Sequence, residues 1–174
     1  MKIAHHCHAS AQVIYAAKKD IPCLVLIREP VDAVTSFIIK SNESIGANAA
    51  LREYLEFYQA VAKCAGKYVL ADFETVIADF SKVIGAINAK YRVTFENWAA
   101  HSVDEKMVMD EVERLNRIRN KTVSTGYGTS ATEEELAARR QKKMEIRKTI
   151  QDDLCRDLVS ECESLYQSLR RQSV

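Results

Sequence analysis

The chain has almost no net charge, no apolar run long enough to cross a membrane and no secretory leader pattern. Its 25 Lys and Arg against 24 Asp and Glu leave a formal net charge of +1, which argues against a general nucleic-acid-binding surface. No basic segment followed by an apolar stretch begins the chain, so we expect no signal peptide. Neither a nucleic acid nor a membrane is therefore expected as a partner. One local basic run is expected to be the solvated face of a helix: Arg139, Arg140, Lys142, Lys143, Arg147 and Lys148.

The five cysteines are odd in number and include no Cys-x-x-Cys pair. This usage suggests neither a disulfide framework nor a zinc site, and no metal is expected. A reducing cytoplasm is the expected compartment.

What the sequence does contain is an ordinary globular composition, 47% hydrophobic and 28% charged, over 174 residues. That length suits a single well-buried domain, 1–174. Within it, 1–95 alternates strand and helix patterns, which predicts an α/β fold with a parallel sheet of about three strands flanked by helices. From 96 to 174 the strand pattern disappears, and an all-helical part with a long C-terminal helix is expected.

The most informative segment joins an apolar run to a helix start. Residues 21–27 show no polar alternation, which is typical of a parallel strand buried on both faces. Pro30 pre-sets φ for a first helical turn, so Arg28 should lie at the carboxyl end of the strand. Ser36 then lies about two helical turns further on, where its hydroxyl and Arg28 could hold one anion. The alternative is that Arg28 simply pairs with a nearby carboxylate, either Asp32 or Glu29.

Further patterns predict the other elements. Helices are expected over 9–19, over 51–65 with Gly66 as the stop, from Phe80 to Ile87 and from Met107 to Leu115, with a strand over 67–71 and a glycine-containing loop over 124–130. Thr132 and Glu135 form a capping-box pattern that starts the long final helix. Its apolar stripe should pack on the domain or on a partner: Ile146, Ile150, Leu154, Leu158, Cys162, Leu165 and Leu169.

The segment from Arg28 to Ser36 has the form Arg-x-Pro-x-Asp-x-x-x-Ser. It resembles the segment with which sulfotransferases bind the 3′-phosphate of 3′-phosphoadenosine-5′-phosphosulfate (PAPS) through the Arg and the Ser. Residues 2–9 resemble the strand of that family that ends in a basic residue and a catalytic His, and 67–74 resembles its strand and aromatic-Glu turn. The resemblance covers most of 2–95.

This resemblance implies a P-loop NTPase-like sulfotransferase fold, with PAPS as co-substrate and no metal. The family carries a strand and P-loop-like turn upstream of these segments, so the chain is expected to be N-terminally truncated relative to the family and its fold incomplete. For these residues alone we expect sulfate transfer to be very slow or absent.

Two histidines are alternatives for the catalytic base that the resemblance implies. His6 keeps the family's usual distance to Arg28, whereas His8 is followed by the small residue expected after the catalytic His. An unused surface histidine and a metal ligand are the other interpretations. Arg119 and Lys121 could add cations to the same phosphate, as a C-terminal basic loop does in the family, or could belong to an ordinary surface loop.

Two functions of different classes follow. The first is a sulfotransferase-like protein that binds PAPS or adenosine 3′,5′-bisphosphate and transfers a sulfuryl group to a hydroxyl or amine of a small-molecule or glycan-type acceptor. The alternative is a catalytically inactive sulfotransferase-derived binding or interaction protein. A homo-oligomer could form through an exposed sheet edge or through the C-terminal helix.

Overall fold

A computed structural model describes residues 9–41, 43–96, 107, 110–112, 114–115, 118 and 132–174. The chain forms two compact units: one comprises Met1–Asn97 and Arg147–Val174, and the other comprises Trp98–Ile146. The sheet and the candidate site belong to the first unit. In the second unit the described residues between 107 and 118 are helical, as predicted, whereas the glycine-containing loop over 124–130 lies outside the described residues.

The described residues are mostly helical and contain a small parallel sheet, which is a broadly α/β arrangement. Strand β1 (Leu24–Ile27) pairs with β2 (Val69–Asp72), and the register runs from Leu24 opposite Val69 to Ile27 opposite Asp72. The strand predicted over residues 2–8 lies outside the described residues. Both described strands therefore end at the same edge of the sheet, and residues 28 and 73 leave it side by side.

The helices lie near the predicted positions, except that an additional helix begins at Phe73, where only a turn is expected, and that the final helix is divided. They are α1 (Ser10–Lys18), α2 (Pro30–Lys40), α3 (Ala47–Ala62), α4 (Phe73–Ala78), α5 (Phe80–Tyr91), α6 (Glu133–Ile150) and α7 (Arg156–Arg170). The helix predicted over 51–65 begins earlier, at Ala47, and ends at Ala62, so Gly66 is not its stop. Gly66 has φ +82° and lies in the turn that leads into β2. None of the described helices is both long and apolar enough to cross a bilayer.

The main hydrophobic core lies on one face of the sheet. Val25 and Ile27 of β1 and Leu70 of β2 belong to this core, and Tyr68 joins it from the position before β2. Helices α1, α3 and α7 supply the other buried side chains: Val13, Val61, Tyr166 and Leu169. Burial of these apolar side chains is the main favourable term that holds the three helices on the sheet.

The two strands differ in how fully they are buried. All four residues of β2 are buried, but Leu24 and Leu26 of β1 are 38% and 42% exposed. The prediction that the first apolar run is buried on both faces is therefore wrong for β1. Helices α4 and α5 pack against β2, so the second face of β1 receives less cover from the described residues.

Two tyrosines of α3 bond to backbone carbonyl groups of β1 and of the residue after it. The Tyr58 hydroxyl donates to the Leu26 carbonyl at 2.7 Å and the Tyr54 hydroxyl to the Arg28 carbonyl at 2.8 Å. The Cys23 carbonyl bonds to β2. Because successive carbonyl groups of a strand point to opposite sides, those of Leu26 and Arg28 point away from β2. The tyrosines therefore satisfy acceptors on the outer edge of β1.

Because these hydroxyls belong to the buried Tyr54 and the half-buried Tyr58, we expect the protein to lose stability at alkaline pH. Burial raises the pKa of both Tyr54 and Tyr58 above the ordinary value of 10.0. The unfolded chain therefore releases these protons first, so the free energy of unfolding should fall as pH rises above 10, by up to about 1.4 kcal/mol per pH unit for each group. Urea denaturation between pH 8 and 11 measures this slope.

Tyr54→Phe should reduce the alkaline slope while lowering stability at neutral pH by about 1 kcal/mol, because the Arg28 carbonyl loses its donor. Tyr15→Phe is the matched control, since that ring is 60% exposed. An unchanged slope in Tyr54→Phe would show that this hydroxyl does not control the alkaline transition.

The predicted long final helix is divided into two. Helix α6 ends at Ile150, a 3₁₀ turn follows at Asp153–Cys155, and α7 begins at Arg156. Leu154, predicted to belong to the apolar stripe, is 85% exposed, and the neighbouring Cys155 is buried. Apolar residues spaced every four positions drift around a helix of 3.6 residues per turn. Because the helix breaks after Ile150, α7 can direct its own apolar face to the core, where Cys162 and Leu169 are buried.

Candidate functional site

The candidate site lies where the two strands end. Arg28 directly follows β1 and Phe73 directly follows β2, and the last paired residues of the strands are Ile27 and Asp72. The Arg28 guanidinium carbon lies 4.4 Å from the centre of the Phe73 ring. A guanidinium over an aromatic face is held by cation–π attraction and by stacking. The end of the neighbouring strand therefore fixes the plane of the Arg28 head group.

Arg28 reaches the serine that the sequence spacing paired with it. Its Nη1 donates to Ser36 Oγ at 3.2 Å, and its Nη2 contacts Asp32 Oδ2 at 3.3 Å. Both partners lie on α2, four and eight residues after Arg28, so they share one face of the helix. The predicted meeting of Arg28 and Ser36 is present, and so is the alternative pairing of Arg28 with Asp32.

The remaining nitrogen of the Arg28 guanidinium is buried. Arg28 Nε has no hydrogen-bond partner in the described part of the chain, although the side chain as a whole is 28% exposed. The accessible donors of Arg28 are thus on its Nη atoms. An anion that approaches from solvent would meet this Nη edge beside the Ser36 hydroxyl.

The backbone between Arg28 and α2 is fixed by local hydrogen bonds. The Glu29 carboxylate accepts from the N–H groups of Val31 at 3.0 Å and Asp32 at 2.7 Å, and Pro30 occupies the first helical position. A capping carboxylate satisfies amides that the first turn leaves unpaired. Glu29 therefore caps the helix, and the alternative in which it pairs with Arg28 does not occur.

A second guanidinium joins the site from α6. Arg147 pairs through its Nη2 with Asp32 Oδ1, the carboxylate oxygen that Arg28 leaves free. Two arginines thus share one carboxylate. The sequence pattern favours a solvated basic run that includes Arg147, and no spacing links Arg147 to Asp32, since the two residues lie on separate helices. Only a pattern of covariation between the two positions could have indicated this pair from sequences.

The buried carboxylate of Asp72 holds the backbone next to Phe73, the residue whose ring contacts the Arg28 guanidinium. Asp72 is 3% exposed and accepts from the Glu74 N–H at 3.3 Å, the Tyr166 hydroxyl at 3.2 Å and Arg170 Nε at 2.8 Å. The buried position of Tyr166, together with the negative charge of Asp72, raises the pKa of the Tyr166 hydroxyl. Asp72 caps α4 and ties its start to α7, so it holds the backbone that carries Phe73.

Four of the site residues predicted from the sequence stay predictions. His6, His8, Arg119 and Lys121 lie outside the described residues. Among the described residues, no three His, Cys, Asp or Glu side chains lie close enough to hold a metal ion.

Comparisons with known proteins found no match: no protein-family model, no curated protein and no solved structure matches the chain.

Proposed function

We propose that the chain is a sulfotransferase-like protein in which Arg28 and Ser36 bind the 3′-phosphate of PAPS or of its product, adenosine 3′,5′-bisphosphate. One observation carries this proposal: Arg28 Nη1 and Ser36 Oγ lie 3.2 Å apart at the carboxyl end of a parallel strand. Ligands of open α/β sheets bind at that end. A guanidinium and a hydroxyl side by side offer charge and directed donors to one phosphate.

The stacked position of Arg28 supports the same function. A guanidinium held on Phe73 loses little side-chain freedom when an anion binds, so less of the interaction energy is spent on ordering it. The Tyr54 hydroxyl on the Arg28 carbonyl fixes the backbone in the same way. The donors are therefore arranged before the ligand arrives.

The proposal also covers the sheet and the residues around the phosphate. It places a third parallel strand over residues 2–8 in a P-loop-type sheet, with His6 or His8 at its end and with Arg119 and Lys121 near the phosphate. It also places the protein in a reducing cytoplasm, since the five cysteines are odd in number and include no Cys-x-x-Cys pair.

In the reaction, one of these histidines would take the proton of the acceptor hydroxyl or amine as that atom attacks sulfur. The sulfur–oxygen bond to the 5′-phosphate breaks, the sulfuryl group passes to the acceptor, and adenosine 3′,5′-bisphosphate leaves. An imidazole whose pKa is near neutrality suits this proton transfer. Arg28 and Ser36 would hold the nucleotide at its far end and would not touch the reacting atoms.

Calorimetric titration with adenosine 3′,5′-bisphosphate tests the binding half of the proposal. We expect saturable binding to the unmodified protein and an affinity about tenfold lower in Ser36→Ala, which removes one hydrogen bond to a charged group. Arg52→Ala is the control, since Arg52 is an exposed cation on α3. Absence of binding to the unmodified protein would refute the proposed nucleotide site.

Transfer of labelled sulfate from PAPS to a panel of hydroxyl and amine acceptors separates the two functional alternatives. Nucleotide binding with transfer that is lost in His8→Ala or in His6→Ala would support the enzyme and identify its base. Nucleotide binding without any transfer would support the inactive binding protein.

A further inference from the structure

Asp32 contacts the Nη edge of Arg28 through its carboxylate. Its Oδ2 lies 3.3 Å from Arg28 Nη2, and its Oδ1 pairs with Arg147. The side chains of Asp32 and Arg28 are 27% and 28% exposed, so solvent reaches both. One carboxylate therefore joins the two guanidinium groups where an incoming phosphate would contact them.

Two other approaches to the Arg28 guanidinium are obstructed by described residues of the chain. Arg28 Nε is buried, and one face of the guanidinium lies on Phe73. The Nη atoms remain as donors for a phosphate, and they lie beside the Ser36 hydroxyl and the Asp32 carboxylate. A phosphate oxygen and a carboxylate oxygen are both acceptors with negative charge, so they compete for the same Nη donors.

We propose that Asp32 is an internal competitor for the anion site and thereby determines which ligand charge the site accepts. In the free protein its carboxylate takes the place of a phosphate oxygen at Arg28. A bound phosphate has to displace it, and Arg147 then retains the displaced carboxylate. This inference rests on the proposed function, since it assumes that Arg28 and Ser36 bind a phosphate.

The repulsion from Asp32 grows with the charge of the ligand, because Coulomb energy is proportional to the product of the two charges. A phosphomonoester carries nearly two negative charges near neutral pH, whereas a phosphodiester carries one. If Asp32→Asn raises the affinity of a monoanion by a given factor, it should raise that of a dianion by about the square of that factor.

The test compares two nucleotides by calorimetry. Adenosine 3′-monophosphate is the dianion, and adenosine 3′,5′-cyclic monophosphate is the monoanion. We expect Asp32→Asn to bind the dianion about tenfold more tightly and the monoanion about threefold more tightly than the unmodified protein. Asp20→Asn is the matched control, since Asp20 is an exposed acid paired with Lys67 and its φ of +49° suits asparagine.

A second variant tests the inference without altering Asp32. Arg147→Gln removes the group that retains the displaced carboxylate, so Asp32 remains on Arg28. Dianion affinity should fall about threefold or more, and this loss should disappear in the double variant with Asp32→Asn. A merely structural Arg147 would give the same loss with and without Asp32.

The outcomes separate this inference from the proposed function. If the unmodified protein binds and Arg28→Ala does not, but Asp32→Asn binds equally or more weakly, the inference fails and the phosphate site stands. If Asp32→Asn binds and the unmodified protein does not, Asp32 blocks the site, which supports the inference and refutes the native function. Absence of binding in every variant overturns both.

Discussion

Replacing Arg28 with alanine is expected to lower the affinity for adenosine 3′,5′-bisphosphate by about a hundredfold or more. Arg28 supplies the charge of the proposed site and the Nη1 donor that lies beside Ser36 Oγ. The fold should survive the change, because Asp32 keeps its ion pair with Arg147 and Glu29 still caps α2. Calorimetric titration measures the affinity, and circular dichroism verifies the fold.

Arg28→Lys distinguishes the contribution of the planar guanidinium donors to binding from the contribution of the positive charge. Lysine keeps the positive charge but cannot offer the planar pair of donors or stack on Phe73 in the same way. We expect an intermediate loss of about tenfold. Equal affinity in Arg28→Ala and in the unmodified protein would show that the nucleotide binds elsewhere, even if Arg28 still contacts Ser36 in the free protein.

Asp72→Ala is expected to lower the free energy of unfolding by about 3 kcal/mol. Asp72 is buried and accepts hydrogen bonds from the Glu74 amide, the Tyr166 hydroxyl and Arg170. Its removal takes away a helix cap, which is worth about 1 kcal/mol, and leaves the buried Tyr166 hydroxyl without this acceptor, which costs about 1–3 kcal/mol. Urea denaturation at neutral pH measures the change.

Asp79→Ala is the matched control for the lost cap. Asp79 caps α5 through the Lys82 amide at 3.3 Å, but this bond is exposed and Asp79 has no contact corresponding to the one with Tyr166. We expect a loss of about 1 kcal/mol there. Equal losses in the two variants would mean that the contacts of Asp72 with α7 contribute little to stability.

The part of the site that the sequence predicted depends on spacing along one short segment. Arg28 and Ser36 are eight residues apart, Pro30 starts the helix between them, and an apolar run precedes them. Helical geometry then places Asp32 and Ser36 on the face that Arg28 can reach. These relations are local, so they could be derived without knowing how the rest of the chain folds.

The remaining contacts could not be derived in this way. Phe73 lies under Arg28 because β1 and β2 pair in parallel and end together, and Arg147 reaches Asp32 because the end of α6 packs in the same unit. The sequence contains both residues without any spacing that connects them to Arg28. The break between α6 and α7 was missed for a similar reason, since the burial of Cys155 rather than Leu154 depends on the surface that the turn meets.

The sequence by itself determined the start of α2 at Pro30, the capping box of Thr132 and Glu135, the strand-to-helix junction at Arg28 and the contact of Arg28 with Ser36. Each of these follows from backbone preferences and helical periodicity within a few residues. Only the tertiary structure decided that Arg28 lies on Phe73 and that Asp32 is shared with Arg147. Those contacts join segments distant in the chain, and they form because parallel pairing and burial of the apolar helix faces bring the segments together.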